Sequence, residues 1–271
     1  MKTVITYLKK EIVLGIAIIL AVLSVFFVRP DSQYLSYIDF RTLAILFCLM
    51  TIVAGFKELG FFDLLAEKLL TAAKSLRAAI LVLVFLCFFL SMVITNDVAL
   101  ITFVPFTITV LNKMGAEVRQ KWLFQVVVMQ TIAANLGSMF TPIGNPQNLY
   151  LFGLTDFTTL DFLKLMFPYT GMSGLVLVGW IFLSTCGTSG NVIPRDTAKN
   201  TVVVPGEKRR EKTIAYSLLL GLSLLTVGRI LPYWVVFVCV LLYTLRRNSS
   251  LLRKVDYSLL GTFAALFIFI G

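Results

Sequence analysis

Between two apolar runs, Trp122–Ile132 and Phe162–Phe182, lies AANLGSMFTPIGNPQNLYLF (Ala133–Phe152), which no continuous membrane helix accommodates. Pro142 and Pro146 each remove a backbone donor and clash with the preceding turn, and Gly137 and Gly144 weaken the helix further. In hydrocarbon an unpaired backbone polar group costs several kcal/mol, so an interruption there must be buried in protein or line a wet cavity. Asn145 followed by Pro146 reads as an N-cap and a first helical position. The expectation is a broken membrane helix, 122–152, that stops near Thr141 and restarts at Pro146. Broken helices are where secondary transporters hold their cargo.

That reading needs a membrane, and composition supplies one. Of 271 residues 58% are hydrophobic and 14% charged, where a soluble domain carries about a quarter charged. The sequence has no histidine, which excludes HExxH zinc sites and His-based triads. The four cysteines (Cys48, Cys87, Cys186, Cys239) have no CxxC spacing and read as inert membrane residues. No metal site beyond a transported or coupling ion and no cofactor is expected, and an intramembrane enzyme is disfavoured because Asp97 lacks an evident second carboxylate.

In chain order, 12–28 is a first span without a small-residue cleavage site, 38–55 a second, and 57–77 an interfacial arm mixing apolar and charged residues. Residues 78–111 form a second interruption: apolar Ala79–Ile94 meets Thr95-Asn96-Asp97, then Val98–Leu111 follows with Pro105 inside. Each arm is roughly 21–24 Å long against about 30 Å of hydrocarbon, and together they exceed one crossing. Read as a re-entrant hairpin, they leave all of the 24 lysines and arginines on the N-terminal face except Arg29, Arg41, Lys164 and Arg229. A single crossing would move most of the basic loops to the other face. By the positive-inside rule the hairpin is preferred and the N-terminus is cytoplasmic, in an inner (plasma) membrane. The net charge of +10 then needs only anionic headgroups as its partner, and no nucleic acid.

A span at 162–182, a polar cytoplasmic linker at 186–212 and spans at 213–227, 231–245 and 257–271 complete the reading. Asp39-Phe40-Arg41-Thr42-Leu43 resembles Asp256-Tyr257-Ser258-Leu259-Leu260, and the same displacement lays 12–28 on 229–245. An odd number of crossings separates the copies, which makes them inverted. Residues 1–185 are thus expected to be a first repeat and 213–271 the start of a second. The sequence stops where that second copy would reach its own hairpin. This leaves open a fragment of a longer transporter, a transporter with half the usual machinery, or a non-transporting membrane subunit or truncated remnant.

Each interruption ends one half-helix and starts another, placing about −0.5 charge from carbonyls beside about +0.5 from amides. Thr95, Asn96, Asn135, Thr141, Asn145 and Asn148 add neutral ligands for either sign of ion. Asp97 costs about 2.5–3.5 kcal/mol near the bilayer centre, so it is expected to be paired, protonated or functional, as a coupling-ion ligand or as the cap of the following helix. Asp39 and Arg41, near a span end, read as interface anchors.

TNDVALITFVPF (Thr95–Phe106) and AANLGSMFTPIGNPQN (Ala133–Asn148) resemble the hairpin tip and the AAN-G-G…T-IG-PPN motif of the ion transporter superfamily. That group includes arsenite permeases, NhaD-type antiporters, the P protein and divalent-anion symporters. The resemblance covers residues 30–185 in detail. It implies an all-α polytopic transporter, of elevator or other alternating-access type, moving a small inorganic or organic anion with H⁺ or Na⁺ and working as a homo-oligomer. A Na⁺/H⁺ antiporter on the same scaffold is the alternative. The family's clamp residues carry over to Thr95, Asn96 and Asp97, and to Asn135, Gly137, Thr141, Gly144, Asn145 and Asn148, with Na⁺ placed near Asn96, Asp97 and Asn135. Asn145 stands where many relatives have Asp, and Gln147 where they have Pro.

Overall fold

The structure, a computed structural model, describes residues 11–28, 34–71, 73, 75–186 and 206–270. Lys2, Lys9, Lys10 and Arg29 of the charge argument, the linker residues 187–205 and Gly271 lie outside them. The described chain is helical, with no strand among the described residues. Its helices are α1 (Ile12–Phe27), α2 (Phe40–Glu58), α3 (Phe61–Thr71), α4 (Leu76–Ile94), α5 (Asn96–Lys113) and α6 (Ala116–Ser138). They continue with α7 (Pro146–Leu154), α8 (Thr159–Ser184), α9 (Gly206–Val227), α10 (Tyr233–Arg247) and α11 (Tyr257–Ile270). Among the described residues α2, α4 and α8 are long and apolar enough to cross a membrane, and α1 and α11 are shorter apolar helices.

The chain divides into two compact units. One runs through Ala54 and resumes at Leu219, and the other is Gly55–Leu218. In the first, α1 lies against α11 through Ala17, Ala21 and Ala265, small residues that let two backbones approach. Asp39 caps α2, accepting from the Thr42 N–H at 3.0 Å, and Asp256 caps α11, accepting from the Leu259 N–H at 2.9 Å. The two segments matched in sequence therefore do the same local work. The Arg41 guanidinium donates to the Thr226 and Val227 carbonyls at 3.2 and 3.4 Å, the end of α9.

In the second unit the arm expected at 57–77 takes in the end of α2, the whole of α3 and the start of α4. Gly60, at φ 62°, makes the turn into α3, and Phe62, Ala66 and Leu70 recur every fourth residue on the buried face. The charged run Glu207–Lys212, assigned to the linker by composition, is helical from the start of α9. Lys, Arg and Glu are good helix formers, so polarity alone does not make such a run a loop.

The core of this unit is built on two apolar stripes that recur every third or fourth residue. Leu76, Ile80, Val84 and Phe88 of α4 meet Val118, Trp122, Val126, Met129 and Ala133 of α6, and Leu177 and Ile181 of α8 close the third side. On an adjacent face of α4, Ala79 and Leu83 pack with Val110 of α5. Residues before Thr95 thus meet residues after it, and α4 and α5 fold back on each other at that point. Arg77 ties the base of α4 to the end of α8: it donates to the Thr185 hydroxyl at 2.8 Å and carbonyl at 3.1 Å, and lies 5.0 Å from the Phe182 ring centroid.

Candidate functional site

The two interruptions meet. The hairpin turns on a single residue, Thr95, whose φ of 71° and ψ of 152° form a conformation that is essentially glycine's own. The other break is wider: α6 stops at Ser138, three residues before the expected Thr141, and residues 139–145 turn before α7. Asn145 caps α7 as its sequence position indicates, its Oδ1 accepting from the Asn148 N–H at 2.7 Å with Pro146 opening the helix.

At the junction the two elements exchange hydrogen-bond partners. In an unbroken helix the Asn96 N–H would bond to the Met92 carbonyl. Here it donates to the Gly144 carbonyl of the other break at 3.2 Å, and the Met92 carbonyl accepts from the Thr141 hydroxyl instead. Each break therefore satisfies a backbone group that the other leaves open, which is what a polar turn within an apolar unit requires.

Two glycines let the chains come this close. A Cβ on Gly137 would stand 2.0 Å from the Phe88 carbonyl oxygen and 2.8 Å from the Ser91 hydroxyl, and one on Gly144 would stand 2.1 Å from the Ser138 carbonyl oxygen. Asn148, 9% exposed, spends its amide nitrogen on the Met139 and Thr141 carbonyls at 3.0 and 3.2 Å, which holds the turn in shape. Ser138 links the turn from within, donating to the Asn135 carbonyl at 2.9 Å and accepting from the Asn145 amide at 3.4 Å.

Amide orientations follow from the partners. Asn135 Nδ2 lies 2.8 Å from the Thr131 carbonyl, which can only accept, so Asn135 presents its oxygen on the other side. Asn96 Nδ2 donates to that oxygen at 3.0 Å. Asn96 Oδ1 is consequently the free end, and it is buried with no hydrogen-bond partner among the described residues. A buried carbonyl-type oxygen without a protein partner is able to accept from a donor or to coordinate a cation.

Of the nine residues singled out in the sequence, Asn96, Asn135, Thr141, Gly144, Asn145 and Asn148 are joined in one hydrogen-bond system, and Gly137 sits in its closest packing contact. Thr95 shapes the tip. Asp97 stands exposed in the first turn of α5, beside this system. Sequence reasoning passed over the Met92 carbonyl, Ser91 and the Phe88 carbonyl. Two of these act through backbone oxygens, which no side-chain pattern reveals, and Ser91 is one hydroxyl in an apolar run.

The family described as citrate transporter matches residues 4–271. A protein called an uncharacterized transporter from Methanocaldococcus jannaschii is 29% identical over 255 residues, 94% of this chain and 65% of its own length. The inner membrane protein YbiR of Escherichia coli is 32% identical over 160 residues, covering 58% of this chain and 42% of the relative. The human P protein is 34% identical over 140 residues, 51% of this chain and 16% of the relative. The chain spans less than two thirds of the length of these relatives.

Proposed function

The chain belongs to the citrate transporter family, and on that premise we propose that it acts in secondary active transport of a small inorganic or organic anion across the inner membrane, coupled to H⁺ or Na⁺. The observation that carries the proposal is the unpartnered Asn96 Oδ1 at the place where hairpin and broken helix exchange hydrogen bonds. A neutral amide oxygen suits a weakly held, reversibly bound cation, with Asp97 and the Asn135 amide close by on the same two elements. The starts of α5 and α7 bring helix N-termini to the same junction, and their amide dipoles suit an anionic group. An open amide oxygen and two helix N-termini at one junction support a reading in which a cation and an anion are handled together.

The same amide oxygen favours a second reading, Na⁺/H⁺ exchange, in which Asp97 alternately carries the proton and faces the cation. Reconstitution of the native protein in liposomes separates the two. Anion-dependent uptake driven by a Na⁺ or pH gradient is expected, reduced at least tenfold by Asp97→Asn. Exchange of Na⁺ for H⁺ with no anion supplied would select the antiporter. Gradient-independent permeation, indifferent to Asp97→Asn, would rule out both.

A further inference from the structure

We propose that Gln130 is a positioning residue that locks both arms of the hairpin to the broken helix, so that the tip and the break are carried as one body. Gln130 lies in the middle of α6 and is 0% exposed. Its amide nitrogen donates to the Leu83 carbonyl of α4 at 3.2 Å and to the Thr107 hydroxyl of α5 at 2.8 Å. The orientation is fixed, because a carbonyl can only accept. One side chain therefore spans three helices, with one proton for each arm of the hairpin.

Packing does not ask for this residue. Its neighbours on the same face of α6, Val126, Met129 and Ala133, are all apolar, and a leucine or methionine would fill the space without burying an amide. Gln130 Oε1 is buried with no hydrogen-bond partner among the described residues, and the Cys87 thiol of α4 also lies within hydrogen-bonding reach of the Gln130 side chain. What the amide supplies is register. Apolar stripes tolerate a slide or a rotation of one helix past another, whereas two directed bonds to two different helices do not. Leu83 and Thr107 are each twelve residues from Thr95, so the bonds grip the arms at matching depth, about 18 Å from the turn. Eight residues further along α6 is Ser138, the start of the other break, about two turns away. Fixing the arms there fixes where Asn96 meets Gly144 and where Thr141 meets Met92.

The consequence for transport rests on the reading given above, but the lock itself does not. The test is hydrogen exchange, read by mass spectrometry, on the full native protein in lipid nanodiscs. Gln130→Met is expected to speed exchange of the segments containing Asn96–Ala99 and Thr141–Asn148 at least fivefold, with α8 unchanged. Thr107→Val, which removes one of the two bonds at nearly constant shape, is expected to give a smaller rise in the same segments and decides the matter if Gln130→Met does not fold. Gln130→Glu, protonated when buried, keeps one donor and is expected to fall between wild type and Gln130→Met. Unchanged exchange at the tip and break in the folded variants, or an equal rise across every helix, would overturn the proposal. Once a cargo is found, Gln130→Met is expected to lower Vmax with KM within twofold. A raised KM at unchanged Vmax would make Gln130 a cargo ligand and also overturn it. Failure of the wild-type protein to transport any ion would sink the transporter reading and leave the exchange result standing.

Discussion

Replacing Gly137 by alanine tests the contact on which the site's geometry depends. The added Cβ would lie 2.0 Å from the Phe88 carbonyl oxygen and 2.8 Å from the Ser91 hydroxyl. Carbon–oxygen contacts settle at about 3.3–3.6 Å, so α4 and α6 must part by more than about 1 Å. A gap of that size forfeits about a quarter to a half of the dispersion attraction across the contact, and overpacking of this kind costs about 1–3 kcal/mol. The strain falls on the partner exchange nearby, where loss of the Asn96–Gly144 or Thr141–Met92 bond adds about 0.5–1.5 kcal/mol. The sum is about 1.5–4.5 kcal/mol, or about 3–18 °C in Tm at about 2–4 °C per kcal/mol for a protein of this size. Gly179→Ala is the control, because a Cβ there meets nothing within 4 Å. It should leave Tm unchanged or raise it slightly, since alanine is favoured over glycine in a helix by about 0.5–1 kcal/mol. Thermal unfolding of both variants in the same mild detergent decides the matter. A Gly137→Ala protein melting within about 2 °C of wild type would refute the close approach.

Two further substitutions probe the breaks one at a time. Asn145→Ala removes the cap of α7 and should destabilise by about 1 kcal/mol, with Asn145→Ser restoring most of it, as read by unfolding in graded denaturing detergent. Equal stability of the two variants would mean that the cap is not formed. Thr95→Gly relieves a positive-φ strain of about 1–3 kcal/mol at a chain-entropy cost of about 0.5–1 kcal/mol, so Tm should hold or rise. A clear fall in Tm would show that the threonine side chain contributes more than its backbone strain costs.

The helical class, both interruptions and the capping of α7 could be read from the sequence, because each is set by local chemistry. Apolar runs of spanning length leave only helices available. A proline at the first helical position behind an asparagine specifies a start, and Thr95-Asn96-Asp97 between two apolar arms marks a turn. The charged run Glu207–Lys212, grouped with the linker by composition, is helical, since composition separates polar from apolar but not helix from loop. Tertiary structure decided what the interruptions do for each other. That Asn96 gives its N–H to the Gly144 carbonyl, that the Thr141 hydroxyl donates to the Met92 carbonyl, and that Gly137 is needed to let the Phe88 carbonyl pass are relations that each end on a backbone carbonyl, a group that is the same in every residue and leaves no mark in the sequence. Gln130 is the limiting case. In the sequence it is one amide in a helical run; only the packing of α4, α5 and α6 puts two acceptors from two helices within reach of its nitrogen and closes water out around its oxygen.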